Sequence, residues 1–453
     1  MSEKNRSSFT GKIGFVLAAA GSAVGLGNIW RFPYLAAKYG GGIFLLTYLV
    51  LAVSFGFALM CAEIAIGRKT GTSAIGAFKK LDKRFSFVGV LGAVIPAIIL
   101  PYYSVIGGWV IKYLVGFCSF DGALLAGNNY FSGFIGSMSG EPVWWFLVFI
   151  AVTAIVVMLG VEKGIESVSK VMMPVLIILS IFIAGYVMFM PGALDGVKYY
   201  ILPDFSKFSA TTVLAAMGQL FYSMSLAMGI MITYGSYMKK DVSLESSVSQ
   251  IEIFDTGIAF LAGLMIIPAV FAFSGGNPES LGAGPGLMFD ALPKVFNTMV
   301  GGEYIGMIFF LLVLLAALTS SISLMETVVS VICDKFKIKR IPACFIVLGF
   351  SVLVGLPSCL GYGVWADVKI IGMAFLDFFD FISNSVLMPV VAFFTCIFVG
   401  YVIKPKAITD EIELTGKFKR KVLFEIMIKY IAPVCIVLIL LSSVLDAFGI
   451  FKM

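Results

Sequence analysis

Eleven apolar runs, each long enough to cross a bilayer, fill most of this 453-residue chain and dictate its solvent. They fall at about 13–36, 42–67, 87–117, 144–161, 171–190, 211–237, 248–273, 304–333, 341–360, 370–402 and 423–448. About 20 apolar residues span the hydrocarbon as a helix, and backbone polar groups there must be satisfied internally. With 60% hydrophobic and only 13% charged residues, the chain reads as one all-α integral membrane bundle over 1–453 rather than a string of soluble domains.

The charged connections orient the bundle. Twenty-three Lys and Arg residues sit in alternate connections that include Lys4, Arg6, Lys12, Arg68, Lys239 and Arg340, against six in the others. The positive-inside rule then puts the N-terminus in the cytoplasm and, with an odd span count, the C-terminus outside. Basic clusters placed this way face anionic lipid, so the net charge of +6 asks for no nucleic acid. Lys4, Arg6 and Lys12 ahead of an apolar run imitate a secretory leader, but the run leads directly into WRFPY and a further span, which reads as an uncleaved first helix. Histidine is absent, which removes histidine bases and most zinc sites. Seven dispersed cysteines without a CxxC pair read as buried free thiols. No serine has a partner base and no phosphate loop occurs, so neither an enzyme nor an organic cofactor is expected. The outer connection 274–293 reads either as a flexible loop or as a lid over a cavity.

Within the first run, GSAVGLGNIWRFPY (21–34) carries Gly21, Gly25, Gly27, Asn28 and Arg31 at membrane depth. Glycines four apart can simply allow close helix packing, but packing does not call for Asn28 or Arg31. Unwound backbone survives in a membrane only where it is buried in protein or lines a cavity. The sixth run holds a second interruption, with Gln219, Ser223, Ser225 and Gly229. Broken helices first and sixth in order imply a five-plus-five inverted repeat, about 13–190 and 211–402, with an extra helix at about 423–448. Such pairs build midplane binding sites in transporters.

GSAVGLGNIWRFPY with GGG (40–42), GQLFYSMSLAMG (218–229) and AALTSSISLME (316–326) resemble, in order, signatures of the neurotransmitter:sodium symporter family, in its bacterial eleven-helix branch. The resemblance implies a sodium-coupled amino-acid importer of the plasma membrane, for bacteria the inner membrane, working by alternating access with helices 1, 2, 6 and 7 rocking against 3, 4, 8 and 9. It sets no oligomeric state. One sodium site would use the carbonyls of Gly21, Val24 and Ala316 with the hydroxyls of Thr319 and Ser320, although hydroxyls here also bond carbonyls one turn back. A second would use the Ala23 carbonyl, Asn28, Ser223, Asp255 and the substrate carboxylate. Asp255 stands where many relatives have Asn, and its charge would replace the anion of chloride-dependent members.

The substrate carboxylate would meet Tyr103 and the N–H groups near Leu26 and Gly27. Its amino group would meet carbonyls around Ala23, Tyr222 and Ser225, and Gly25, an aspartate in monoamine carriers, leaves room for a carboxylate. Ser22, Ile99, Tyr222, Met228, Ser320 and Leu324 would line the side-chain pocket, suiting a bulky hydrophobic or aromatic amino acid, with Ser22 and Ser320 leaning toward a phenol or indole. Arg31 and Asp380 resemble an outer gate with Gln219 holding Arg31; Arg6 and Asp334 resemble an inner gate, each pair being otherwise a static ion pair. Phe9 departs from the usual Trp. Glu63 would brace the unwound first helix, and Glu326 has no implied role. Nine residues between Gly164 and Pro174 fit either an unwinding fifth helix or a proline near a helix start. A non-translocating sensor, a ligand-gated channel and proton coupling remain the rival readings.

Overall fold

The computed structural model describes residues 7–138, 140–275 and 285–447. Among these residues there is no β-strand, only isolated bridges such as Gly41–Pro203, as expected of a chain whose backbone must pair within each segment. The first span is broken into α1 (Lys12–Ala23) and α2 (Gly27–Lys38), bent by 55°. Then follow α3 (Gly42–Thr70), the amphipathic α4 (Ala74–Leu81), α5 (Lys83–Cys118), α6 (Glu141–Met158), α7 (Val161–Met188) and α8 (Ala193–Ile201). The sixth segment is split into α9 (Ala210–Ser223) and α10 (Ile230–Gly235). Later helices include α11 (Leu244–Ser274), α12 (Gly302–Phe336), α13 (Arg340–Leu360), α14 (Phe375–Val402), α15 (Lys404–Ile412) and α16 (Lys421–Ala447), with shorter helical pieces in the connections.

Nine of these helices are individually long and apolar enough to cross a membrane, and the bent pair α1–α2 adds a tenth. The expected count of eleven requires taking α9 and α10, 14 and 6 residues long, as one interrupted crossing. Glycines end several helices cleanly. Gly71 after α3 and Gly275 after α11 take left-handed φ of 64° and 67°, the conformation that lets a C-terminal turn close its last carbonyls. Prolines inside α5, α7 and α11 leave carbonyls unpaired by their own helix, which packed neighbours tolerate.

The two broken segments sit at the centre. α1 packs on α11 and α12, α9 and α10 pack on α3, and α5 runs along α6 and α12. The fifth segment differs from the unwinding alternative: 161–188 is continuous, opening as a wide turn over Val161–Glu166 and carrying Pro174 inside the helix. Glu166 fixes that turn by accepting from the Thr10 N–H at 2.8 Å, from the Thr10 hydroxyl and from Lys170 at 2.6 Å.

Candidate functional site

The break in the first span arises at Val24, whose ψ of 105° is extended. Gly25 N–H then donates to the Asn28 side chain at 3.1 Å, and Leu26 N–H reaches the Tyr103 hydroxyl at 3.3 Å. Side chains would not fit here. A Cβ on Gly25 would lie 2.6 Å from Ser320 Oγ, and one on Gly27 would lie 2.4 Å from the Tyr222 ring.

The break in the sixth segment is more strained. Ser225, Ala227 and Gly229 all have positive φ, at 52°, 61° and 68°; for the two non-glycine residues this costs about 1–3 kcal/mol each. Neighbours hold the strained backbone in place. Glu63 accepts from Ala227 N–H at 2.7 Å, and Ser225 Oγ donates to the Ser22 carbonyl at 2.9 Å. This corrects the expectation for Glu63: it braces the sixth-segment break, because its position on α3 faces α10.

The breaks face each other across one cavity. Ser22, Ala23, Gly25, Leu26, Gly27, Ile99, Tyr103, Tyr222, Ser223, Ser225, Met228, Ser320 and Leu324 line it, with Asn28, Ile230 and Ser323. Every residue expected at the substrate pocket is therefore in one place. Ile230 and Ser323 were missed as lining residues; Ser323 lies three positions after Ser320, on the same helix face, which was the signal available.

At one end lies a buried polar cluster. Asp255, 0% exposed, accepts at Oδ1 from Ser223 (2.7 Å) and Asn28 (2.8 Å), and at Oδ2 from Tyr48 (3.1 Å). Tyr48 also reaches Ser223 at 3.2 Å. Sequence reasoning missed Tyr48, since one tyrosine in an apolar run looks like core. Among the described residues no cationic side chain is one of these partners, so the carboxylate is met by dipoles.

A second oxygen cluster joins α1 to α12. Ser320 Oγ lies 3.2 Å from the Val24 and Ser22 carbonyls, and Thr319 Oγ1 donates to Ala316 (3.0 Å) and Leu315 (3.1 Å), the back-bonding alternative. A Cβ on Gly21 would stand 3.2 Å from Thr319 Cβ, so the end of α1 abuts this pair. All five expected oxygens are neutral, a set suited to a hard monovalent cation.

The gate expectations fare differently. Arg31 and Asp380 line one open cavity but make no ion pair with each other. Arg31 lies over the Tyr222 ring at 5.3 Å, while Asp380 accepts from Tyr102 (3.1 Å) and Asn384 (2.6 Å). Gln219 donates to the Gly27 carbonyl at 2.9 Å instead of holding Arg31; it ties the two breaks together. Arg6 lies outside the described residues, and Asp334 accepts from Ser73 N–H at 2.8 Å. Phe9 is buried, edge-on to Phe15, Tyr234 and Tyr237. Glu326, without an expected role, is fully buried and takes Arg340 and the Tyr237 hydroxyl (2.7 Å), binding α12 to the start of α13.

Comparison with known proteins agrees with this architecture. A model of the sodium:neurotransmitter symporter family matches residues 6–130 and 133–449. The chain is 37% identical to an uncharacterized sodium-dependent transporter of Bacillus subtilis, YhdH, over 98% of its own length and 99% of that protein's. It is 28% identical to the sodium- and chloride-dependent taurine transporter of Rattus norvegicus, over 90% and 73%. The crystal structure of MhsT in complex with L-phenylalanine superposes with a TM-score of 0.87 at 38% identity, covering 97% of this chain and 100% of that one. With a matching family model over nearly the whole chain and two broken helices enclosing one polar-ended cavity, this protein belongs to the sodium:neurotransmitter symporter family, as a sodium-dependent multi-pass membrane transporter and not an enzyme.

Proposed function

We propose that the protein imports a hydrophobic or aromatic L-amino acid, driven by two sodium ions and independent of chloride. The observation that carries this reading is the cavity between the two breaks, polar at one end and apolar along its side. The substrate carboxylate binds at the Tyr103 hydroxyl and the Leu26 and Gly27 N–H groups, and its ammonium at carbonyls around Ala23, Tyr222 and Ser225. Ile99, Met228 and Leu324 surround the side chain, Met228 adapting its shape to the ligand.

One sodium is held by Ala23, Asn28, Ser223 and Asp255 beside the substrate carboxylate, so each ligand relieves the other's dehydration cost and the two bind cooperatively. The other is held by Gly21, Val24, Ala316, Thr319 and Ser320, with the Thr319 hydroxyl turning from its helical carbonyls. Asp255 supplies the fixed negative charge that chloride supplies in other members. The complex with L-phenylalanine is a property of MhsT that favours the same substrate class here.

Transport proceeds by the first, second, sixth and seventh spans rocking as a bundle, the two repeats being about 13–190 and 211–402. Arg31 and Asp380 close over the substrate when the cavity they line narrows, and Arg6 with Asp334 act on the cytoplasmic side. The membrane is the plasma membrane, with the N-terminus inside, because the basic residues gather on that face. Uptake of labelled Leu, Tyr and Trp into proteoliposomes tests the reading. Accumulation should follow an inward sodium gradient and persist when gluconate replaces chloride; accumulation that ignores sodium would refute it.

A further inference from the structure

Four serine hydroxyls lie along one wall of the cavity, and their protons can be counted. A serine has one proton to donate and two lone pairs to accept. Ser225 gives its proton to the Ser22 carbonyl (2.9 Å), Ser323 gives its own to the Ser320 carbonyl (2.7 Å), and Ser320 gives its own to the Ser22 or Val24 carbonyl (3.2 Å each). Carbonyl oxygens only accept, so these directions are forced. Ser22 must therefore be the donor toward Ser323 (2.7 Å) and Ser225 (3.2 Å), with one proton for both.

Ser323 and Ser320 also meet the hydroxyls of Tyr234 and Tyr103, so the free lone pairs of the wall lie on Ser22 and Ser225. Among the described residues, Ser22 Oγ accepts no bond, and Ser225 Oγ accepts at most a share of one. Both residues line the cavity, at 2% and 5% exposure, so bulk water does not satisfy them. The Ser225 hydroxyl is held in place by its 2.9 Å bond to the Ser22 carbonyl. Ser320, which the sequence pointed to, is occupied with the carbonyls of the first span; Ser323 and Ser225 complete the wall instead.

We propose that Ser22, Ser225 and Ser323 select an aromatic substrate whose ring edge carries a hydrogen-bond donor, a phenol O–H or an indole N–H. The proposal rests on the reading of this cavity as an amino-acid site. A donor at the ring edge fills a buried lone pair. A methyl of the same size leaves it empty, and an acceptor meets it with repulsion. Ser22 and Ser225 are the contacts; Ser323 is a positioning residue that holds the Ser22 proton away from the ligand.

The test is competition by L-tyrosine and by 4-methyl-L-phenylalanine, which replaces the O–H with a methyl of similar size, against sodium-driven uptake of labelled L-leucine. One net hydrogen bond corresponds to about two- to tenfold in affinity. Tyrosine should therefore compete about two- to tenfold better, and Ser22→Ala or Ser225→Ala should each shrink that ratio, whatever happens to absolute uptake. Equal competition in the wild type overturns the proposal, as does an unchanged ratio in both variants. Should either variant fail to fold, the wild-type ratio decides alone. Sodium-driven leucine uptake with a ratio of one sinks the proposal but spares the amino-acid reading; no sodium-driven uptake of leucine or tyrosine sinks both.

Discussion

Replacing Asp255 by Asn probes the charge at the centre of the site. The carboxylate accepts three hydrogen bonds, from Ser223, Asn28 and Tyr48. An amide keeps one accepting oxygen, so Ser223 and Asn28 can stay satisfied while Tyr48 turns to Ser223 at 3.2 Å. The local fold should therefore survive. The charge does not. Opposite unit charges about 4 Å apart attract by about 4 kcal/mol at an effective dielectric of about 20, and dehydration of the buried carboxylate cancels part of that. A net loss of about 1.4–2.8 kcal/mol lowers sodium affinity about tenfold to a hundredfold.

The assay is half-maximal sodium for leucine uptake, measured in chloride and in gluconate. The wild type should give the same value in both. Asp255→Asn should need at least about tenfold more sodium in gluconate, with partial recovery in chloride, since an anion bound nearby can then supply the missing negative charge. Full sodium affinity of the variant in chloride-free buffer refutes the assignment.

Other consequences follow from single contacts. Gly25→Ala places a methyl 2.6 Å from Ser320 Oγ and 3.1 Å from the Tyr103 hydroxyl, so uptake should fall at least about tenfold while the melting temperature holds; near-normal uptake contradicts the close approach. Arg340→Leu strands the buried Glu326, a change worth about 3–5 kcal/mol. Its melting temperature should drop, and the double variant with Glu326→Gln should regain most of the loss; a single variant that melts like the wild type contradicts it.

Much of the framework was legible because membranes punish exceptions. Gly25, Asn28 and Ser225 stand out where every neighbour is apolar, and the three motifs around them converge on one cavity. Contacts between distant charged or aromatic groups were not legible. Arg340 reads as one more basic loop residue until Glu326, fourteen positions earlier, is seen beside it. Tyr48 carries no polar context in sequence, yet it contacts Asp255. The Arg31–Asp380 contact fails for a related reason: a flexible guanidinium and a carboxylate settle on whichever partner is nearer, here Tyr222 for one and Tyr102 with Asn384 for the other. The contact that Glu166 at the start of the fifth segment makes with Thr10, 156 positions earlier, was likewise not legible.

The central claim is that peptide groups freed at two helix breaks hold sodium and a zwitterion side by side, each strengthening the other. Equilibrium binding of labelled L-leucine to the purified protein, titrated against sodium at constant ionic strength, measures that linkage without transport. Substrate affinity should climb steeply as sodium replaces potassium, and sodium affinity should rise by the same factor when leucine is present. Equal leucine affinity in sodium and potassium would contradict the account.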